Sequence, residues 1–100
     1  MFFFYLKHIM SRSPSDNVLK HACKLSLGNE KPIMLDYWEK SVEKVALIGV
    51  KSGGEKLLVK NEDEYTSPIA KVYKVENEYI VETENSMYIV CASIPTKRIS

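Results

Sequence analysis

Between residues 33 and 94 the hydrophobic positions fall in short runs, most of them alternating with polar ones, and each run ends in a tight-turn signal. Alternation sends successive side chains to opposite faces of a strand. The first run, 33–38, puts Ile33, Leu35 and Tyr37 on one face and Met34, Asp36 and Trp38 on the other. Residues 45–50 are almost all apolar and rich in β-branched side chains, the pattern of a central strand buried on both faces. Ser52-Gly53-Gly54 supplies a hairpin turn, because glycine reaches positive φ without a steric penalty, and 56–60 returns as the next strand. An acidic loop, Asn61-Glu62-Asp63-Glu64, follows and ends at Ser67-Pro68. The last third reads as a meander with strands at 69–75, 79–83 and 87–92. Its turns are Glu76-Asn77-Glu78 and Glu84-Asn85-Ser86, with Asn77 and Asn85 at positions that favour left-handed backbone. Pro95 stops pairing, and 96–100 is a short basic tail.

Ahead of this region the period changes. Ser13-Pro14-Ser15-Asp16 is a helix start, with Ser13 able to cap, Pro14 suited to the first turn and Asp16 favoured at the positive end of the dipole. Val18, Leu19, Ala22, Cys23 and Leu25 then form an apolar stripe, and Gly28-Asn29 is the stop. The pattern predicts a helix over 14–27. The expected fold is therefore α+β: one N-terminal helix packed on a six-stranded, mostly antiparallel, barrel-like sheet of SH3-like or OB-like size. That likeness is architectural and carries no function. Residues 1–12 read as an apolar N-terminal arm and 13–100 as a single domain.

The arm begins Phe2, Phe3, Phe4, Tyr5, Leu6. It is too short to span a bilayer, which takes about 20 residues, and it lacks the regions of a signal peptide. Two readings stay open: the arm packs on its own core or on a neighbour, or Met10 is the working start.

Net charge is +1, which gives no strong pull toward nucleic acid or anionic lipid. The basic residues are nearly all lysine, with Arg12 and Arg98 the only arginines, a poor set for bidentate phosphate or guanine recognition. Cys23 and Cys91 have no CxxC partner and read as reduced, buried small hydrophobes; with no Asn-x-Ser/Thr sequon, they point to an intracellular, cytoplasmic setting. His21 and Cys23, two apart on a helix, point in opposite directions and cannot grip one metal ion. The histidines, His8 and His21, lie in no nucleophile motif, and Gly53-Gly54-Glu55-Lys56 lacks the spacing of a phosphate loop. Carboxylate pairs such as Asp63 with Glu64 and Glu82 with Glu84 read as solvated charges. The expectation is no enzyme, no metal and no cofactor.

Two binding readings follow. Tyr37 and Trp38 are neighbours on opposite strand faces, so one can be core while the other anchors an interface; Trp38 tucked under the helix is the competing reading. With Phe2, Phe3 and Phe4 at one end and Tyr73, Tyr79 and Tyr88 on the meander, these residues define a non-enzymatic protein-interaction or structural module. Its partner would be another protein or a second copy. The alternative is a small-barrel protein for single-stranded nucleic acid, using those tyrosines with Lys71, Lys74, Lys97 and Arg98. The interleaved Glu76, Glu78, Glu82 and Glu84 would repel phosphate.

The phrases Lys31-Pro32-Ile33-Met34-Leu35-Asp36-Tyr37-Trp38, Glu64-Tyr65-Thr66-Ser67-Pro68-Ile69 and Thr83-Glu84-Asn85-Ser86-Met87-Tyr88-Ile89-Val90 resemble small uncharacterised proteins of large DNA viruses that infect algae and protists. The resemblance covers residues 31–94 and carries no functional motif. It implies a viral protein made in the host cytoplasm, as a minor component of the particle or an adaptor directed at the host.

Overall fold

Ser15 opens the first helix. Its side-chain oxygen accepts a hydrogen bond from the Val18 amide at 3.2 Å, satisfying one of the free donors of the first turn. In the computed structural model, which describes residues 13–99, this helix, α1, runs Asp16–Asn29. The cap is thus Ser15 rather than Ser13. The helix ends on Glu30, which takes the left-handed conformation at φ 55°, while Gly28 stays inside the last turn.

Eight short strands follow, interrupted by a second helix. In chain order they are β1 (Ile33–Met34), α2 (Trp38–Val42), β2 (Leu47–Val50), β3 (Lys56–Asn61), β4 (Glu64–Tyr65), β5 (Ile69–Val75), β6 (Glu78–Thr83), β7 (Met87–Cys91) and β8 (Thr96–Arg98). They form two four-stranded mixed sheets, β1-β7-β6-β5 and β4-β3-β2-β8, and neither closes on itself. This corrects the expected six-stranded barrel with one helix. The run 33–38 is strand only over Ile33–Met34; Tyr37 is the N-cap of the short helix α2, which begins at Trp38. The acidic loop contains β4, and the basic tail contains β8. Each sheet gains one parallel edge strand, β1 beside β7 and β8 beside β2. In the hairpin turns left-handed backbone falls at Gly54 and Glu76, not at Asn77 or Asn85.

Register assigns the faces. In the first sheet Tyr73 pairs with Ile80 and Ile80 with Ile89, so these share one face. That face joins Met87 and Cys91 in a cluster with Val18 and Ala22 of α1 and Trp38 of α2. The opposite face carries Val81 and Val90, which pack with Tyr37, Ile94 and Leu58, while Ile48, Tyr79 and Tyr88 border them. Ile48 and Leu58 pair across β2 and β3, so they mark the inner face of the second sheet. The order of layers is α1, first sheet, second sheet. Ser41 ties α2 into this stack: its hydroxyl donates to the Trp38 carbonyl at 2.6 Å and accepts from the Cys91 amide at 2.9 Å.

Candidate interaction surface

Among the described residues, stacking in this order leaves one sheet face without a covering layer. Leu47 pairs with Val59 and Gly49 with Leu57, so all four lie on the outer face of the second sheet. Tyr65 of β4 pairs with Val59 and extends that face toward one edge. From β8 the chain continues to Ile99, whose amide donates to the Val50 carbonyl at 2.9 Å. The Ile99 side chain then lies across Gly49. A Cβ on Gly49 would stand 2.6 Å from Ile99 Cδ1, so the glycine makes room for that crossing. Between them, these residues and Val45 form an open apolar groove of about 510 Å³. Leu57 is buried at its floor, whereas Val45, Tyr65 and Ile99 are 51%, 60% and 42% exposed. Lys51, Lys60, Asn61 and Glu62 give the groove a charged rim.

The rim is braced from beneath. Lys60 Nζ lies 3.7 Å from Asp36 and 3.5 Å from Glu64, and 4.9 Å over the Tyr37 ring. Tyr37 meets Tyr88 edge-on, with centroids 5.2 Å apart and an interplanar angle of 76°. Burial, with the nearby Tyr88, Asp36 and Glu64, pushes the Tyr37 hydroxyl up from 10.0 to about 12. At the strand end, Thr66 Oγ1 accepts from the Leu58 amide at 3.1 Å and donates to the Ser67 carbonyl at 2.8 Å, holding β4 against β3.

The residues singled out in the sequence lie elsewhere. Tyr37 and Trp38 are both buried, Tyr37 between the sheets and Trp38 beneath α1. Tyr73 is on the helix side of the first sheet, while Tyr79 and Tyr88 are on its opposite side. The three tyrosines are half-buried and do not form one stacking platform. Lys71 shares the face of Tyr73, Lys74 the face of Tyr79, and Lys97 and Arg98 belong to the other sheet. The basic residues are therefore distributed over separate surfaces. Phe2, Phe3 and Phe4 lie outside the described residues. Cys91 is buried as expected, and Cys23 is exposed on α1. Glu82 is not a solvated strand charge: it is nearly buried and bonded to Lys31 and Tyr73. No group of three His, Cys, Asp or Glu among the described residues is arranged to hold a metal ion. Among the same residues, no helix is long and apolar enough to cross a membrane.

The groove residues Val45, Leu47, Leu57, Val59, Tyr65 and Ile99 were missed from sequence. The available signal was apolar excess: both 45–50 and Leu57-Leu58-Val59 are apolar on both faces, and a second sheet face needs a layer to cover it. Compared with protein-family models, curated proteins and solved structures, the chain matches none.

Proposed function

We propose that this protein is a non-enzymatic interaction module that engages another polypeptide through the outer face of its second sheet. One observation carries the reading: the apolar groove over Leu57, walled by Leu47, Val59, Tyr65 and Ile99, has no layer above it among the described residues. Contiguous apolar surface with a polar rim is the usual form of a protein contact site. The rim carries both signs of charge, Lys51 and Lys60 with Glu62, which suits a peptide better than a polyanion. The viral resemblance adds no residue to this reading.

A photo-crosslinking amino acid placed at Tyr65, with Lys24 on α1 as the control position, tests it in the native source. The reading expects protein adducts at position 65 that resist nuclease and disappear when Val59→Lys is added. Equal adducts at both positions, or adducts that nuclease removes, would contradict it.

A further inference from the structure

We infer that the occupant of the groove is residues 2–6 of a second copy of this chain, an assignment that rests on the interaction reading above and names its partner. The chemistry matches first. The groove offers aliphatic walls and one exposed tyrosine, and the chain carries Phe2-Phe3-Phe4-Tyr5-Leu6, a run of large apolar side chains with no charge inside it. Lys7 follows the run directly, and the groove ends at the acidic turn that contains Glu62.

The interior layers are already filled. On one side of the first sheet, Val18 and Ala22 of α1 meet Ile80, Met87 and Ile89. On the other, Val81 and Val90 meet Leu58 and Tyr37. All of these but Tyr37 are fully inaccessible, and Tyr37 is 5% exposed. Among the described residues, the outer face of the second sheet is the more enclosed of two apolar surfaces left over; the other, more open, lies on α1 around Leu19 and Cys23 and is rimmed by Asp16, Lys20 and Lys24.

Reach then selects a second copy. Residues 7–12 link the apolar run to Ser13, and six extended residues span at most roughly 20 Å. Ser13 leads into α1, whose first turn is anchored beside the β5–β6 turn by the hydrogen bond from Asn17 to Glu76. From there the chain's own groove lies two layers away, on the far side of both sheets, and packed layers are about 10 Å apart. That distance already uses the whole span before the chain rounds the sheet edge. A neighbour's groove carries no such restriction, and reciprocal exchange closes a two-fold dimer.

Sedimentation of the full-length chain over a range of concentrations tests the assignment, with three chains compared. They are the wild type, an arm variant (Phe2→Ser, Phe3→Ser and Phe4→Ser together) and the groove variant Val59→Lys. The expected result is a dimer for wild type, at least tenfold weaker association for each variant, and unchanged melting of both. Mixing the variants should give a heterodimer that is tighter than either variant alone and weaker than wild type, since one supplies a sound groove and the other a sound arm, so that one of the two contacts can form. If Val59→Lys melts early, Tyr65→Ser at the exposed end of the groove replaces it. A wild type that stays monomeric, or variants that fail to complement, would overturn the inference. An arm variant that dimerises like wild type while the groove variant does not would also overturn it, while leaving the interaction face standing. A folded groove variant that associates as wild type does and keeps its adducts at position 65 would remove both readings.

Discussion

Lys31 Nζ lies 2.6 Å from Glu82 Oε2 and donates a second hydrogen bond to the Thr83 carbonyl at 2.8 Å. Glu82 also accepts from the Tyr73 hydroxyl at 3.3 Å, so its carboxylate is held from both sides on the helix-facing surface of the first sheet. The Lys31 side chain thereby joins the segment after α1 to the middle of the meander. The hydrogen bond from Lys31 outweighs burial and holds the Glu82 carboxyl below its ordinary 4.5.

Replacing Lys31 with Met should cost about 2 kcal/mol at neutral pH, because it takes from a nearly buried carboxylate its strongest partner and leaves it the Tyr73 hydroxyl and the more distant charge of Lys71. A depressed folded pKa contributes stability that is full above the unfolded value and is lost as pH falls through the folded one. Urea unfolding should therefore show a gap between wild type and Lys31→Met above pH 4.5 that narrows as acid protonates Glu82. A gap that does not change with pH would mean that the pair adds nothing electrostatic.

Val18 is fully buried on the sheet-facing side of α1, and Leu27 on the same helix is 82% exposed. Val18→Asp places an unpaired charge in the helix–sheet cluster and should abolish cooperative melting. Leu27→Asp should leave stability within about 0.5 kcal/mol. Similar melting curves for the two would mean that α1 does not dock on the sheet.

Gly49 and Ile99 should be energetically coupled. Gly49→Val adds side-chain atoms where the Ile99 side chain crosses the sheet and should cost roughly 1–3 kcal/mol. Ile99→Ala in the same chain should return part of that loss. Strictly additive denaturation midpoints in the double-mutant cycle would place Ile99 elsewhere.

Tyr37 should ionise well above the ordinary tyrosine value of 10.0. Its folded pKa of about 12 lies above the ordinary 10.0, chiefly through burial, so the native state keeps a proton that the unfolded chain loses. Stability should hold below pH 10.0 and decline as pH rises toward about 12. Phenolate absorbance measured against pH should lose a component near pH 12 in Tyr37→Phe. Loss of a component near pH 10.0 instead would show that Tyr37 is not buried.

Much of the local structure was legible in the sequence. Val18 and Ala22 announced the buried helix stripe, and the meander of β5, β6 and β7 lies close to where alternation and turn residues placed it. What alternation does not carry is which sheet a strand joins. The parallel pairings of Ile33 with Met87 and of Gly49 with Lys97 link residues far apart in the chain, and nothing in either local pattern announces them. Tyr37 and Trp38 misled because strand alternation and the first turn of a short helix look alike over two residues. The groove on the second sheet was hidden for a related reason. A strand that is apolar on both faces reads as doubly buried, and only the layer order shows that Leu47, Val59 and Tyr65 face outward.

Docking of residues 2–6 on the outer face of the second sheet can be read residue by residue from methyl NMR of the 100-residue chain, recorded from dilute to concentrated solution. Concentration-dependent shifts are expected at Val45, Leu47, Leu57, Val59 and Ile99, the methyl-bearing residues of the groove, with Ile80, Val81, Ile89 and Val90 in the interior unchanged. Spectra that do not change with concentration, or shifts confined to the exposed edge strand β5, would contradict it.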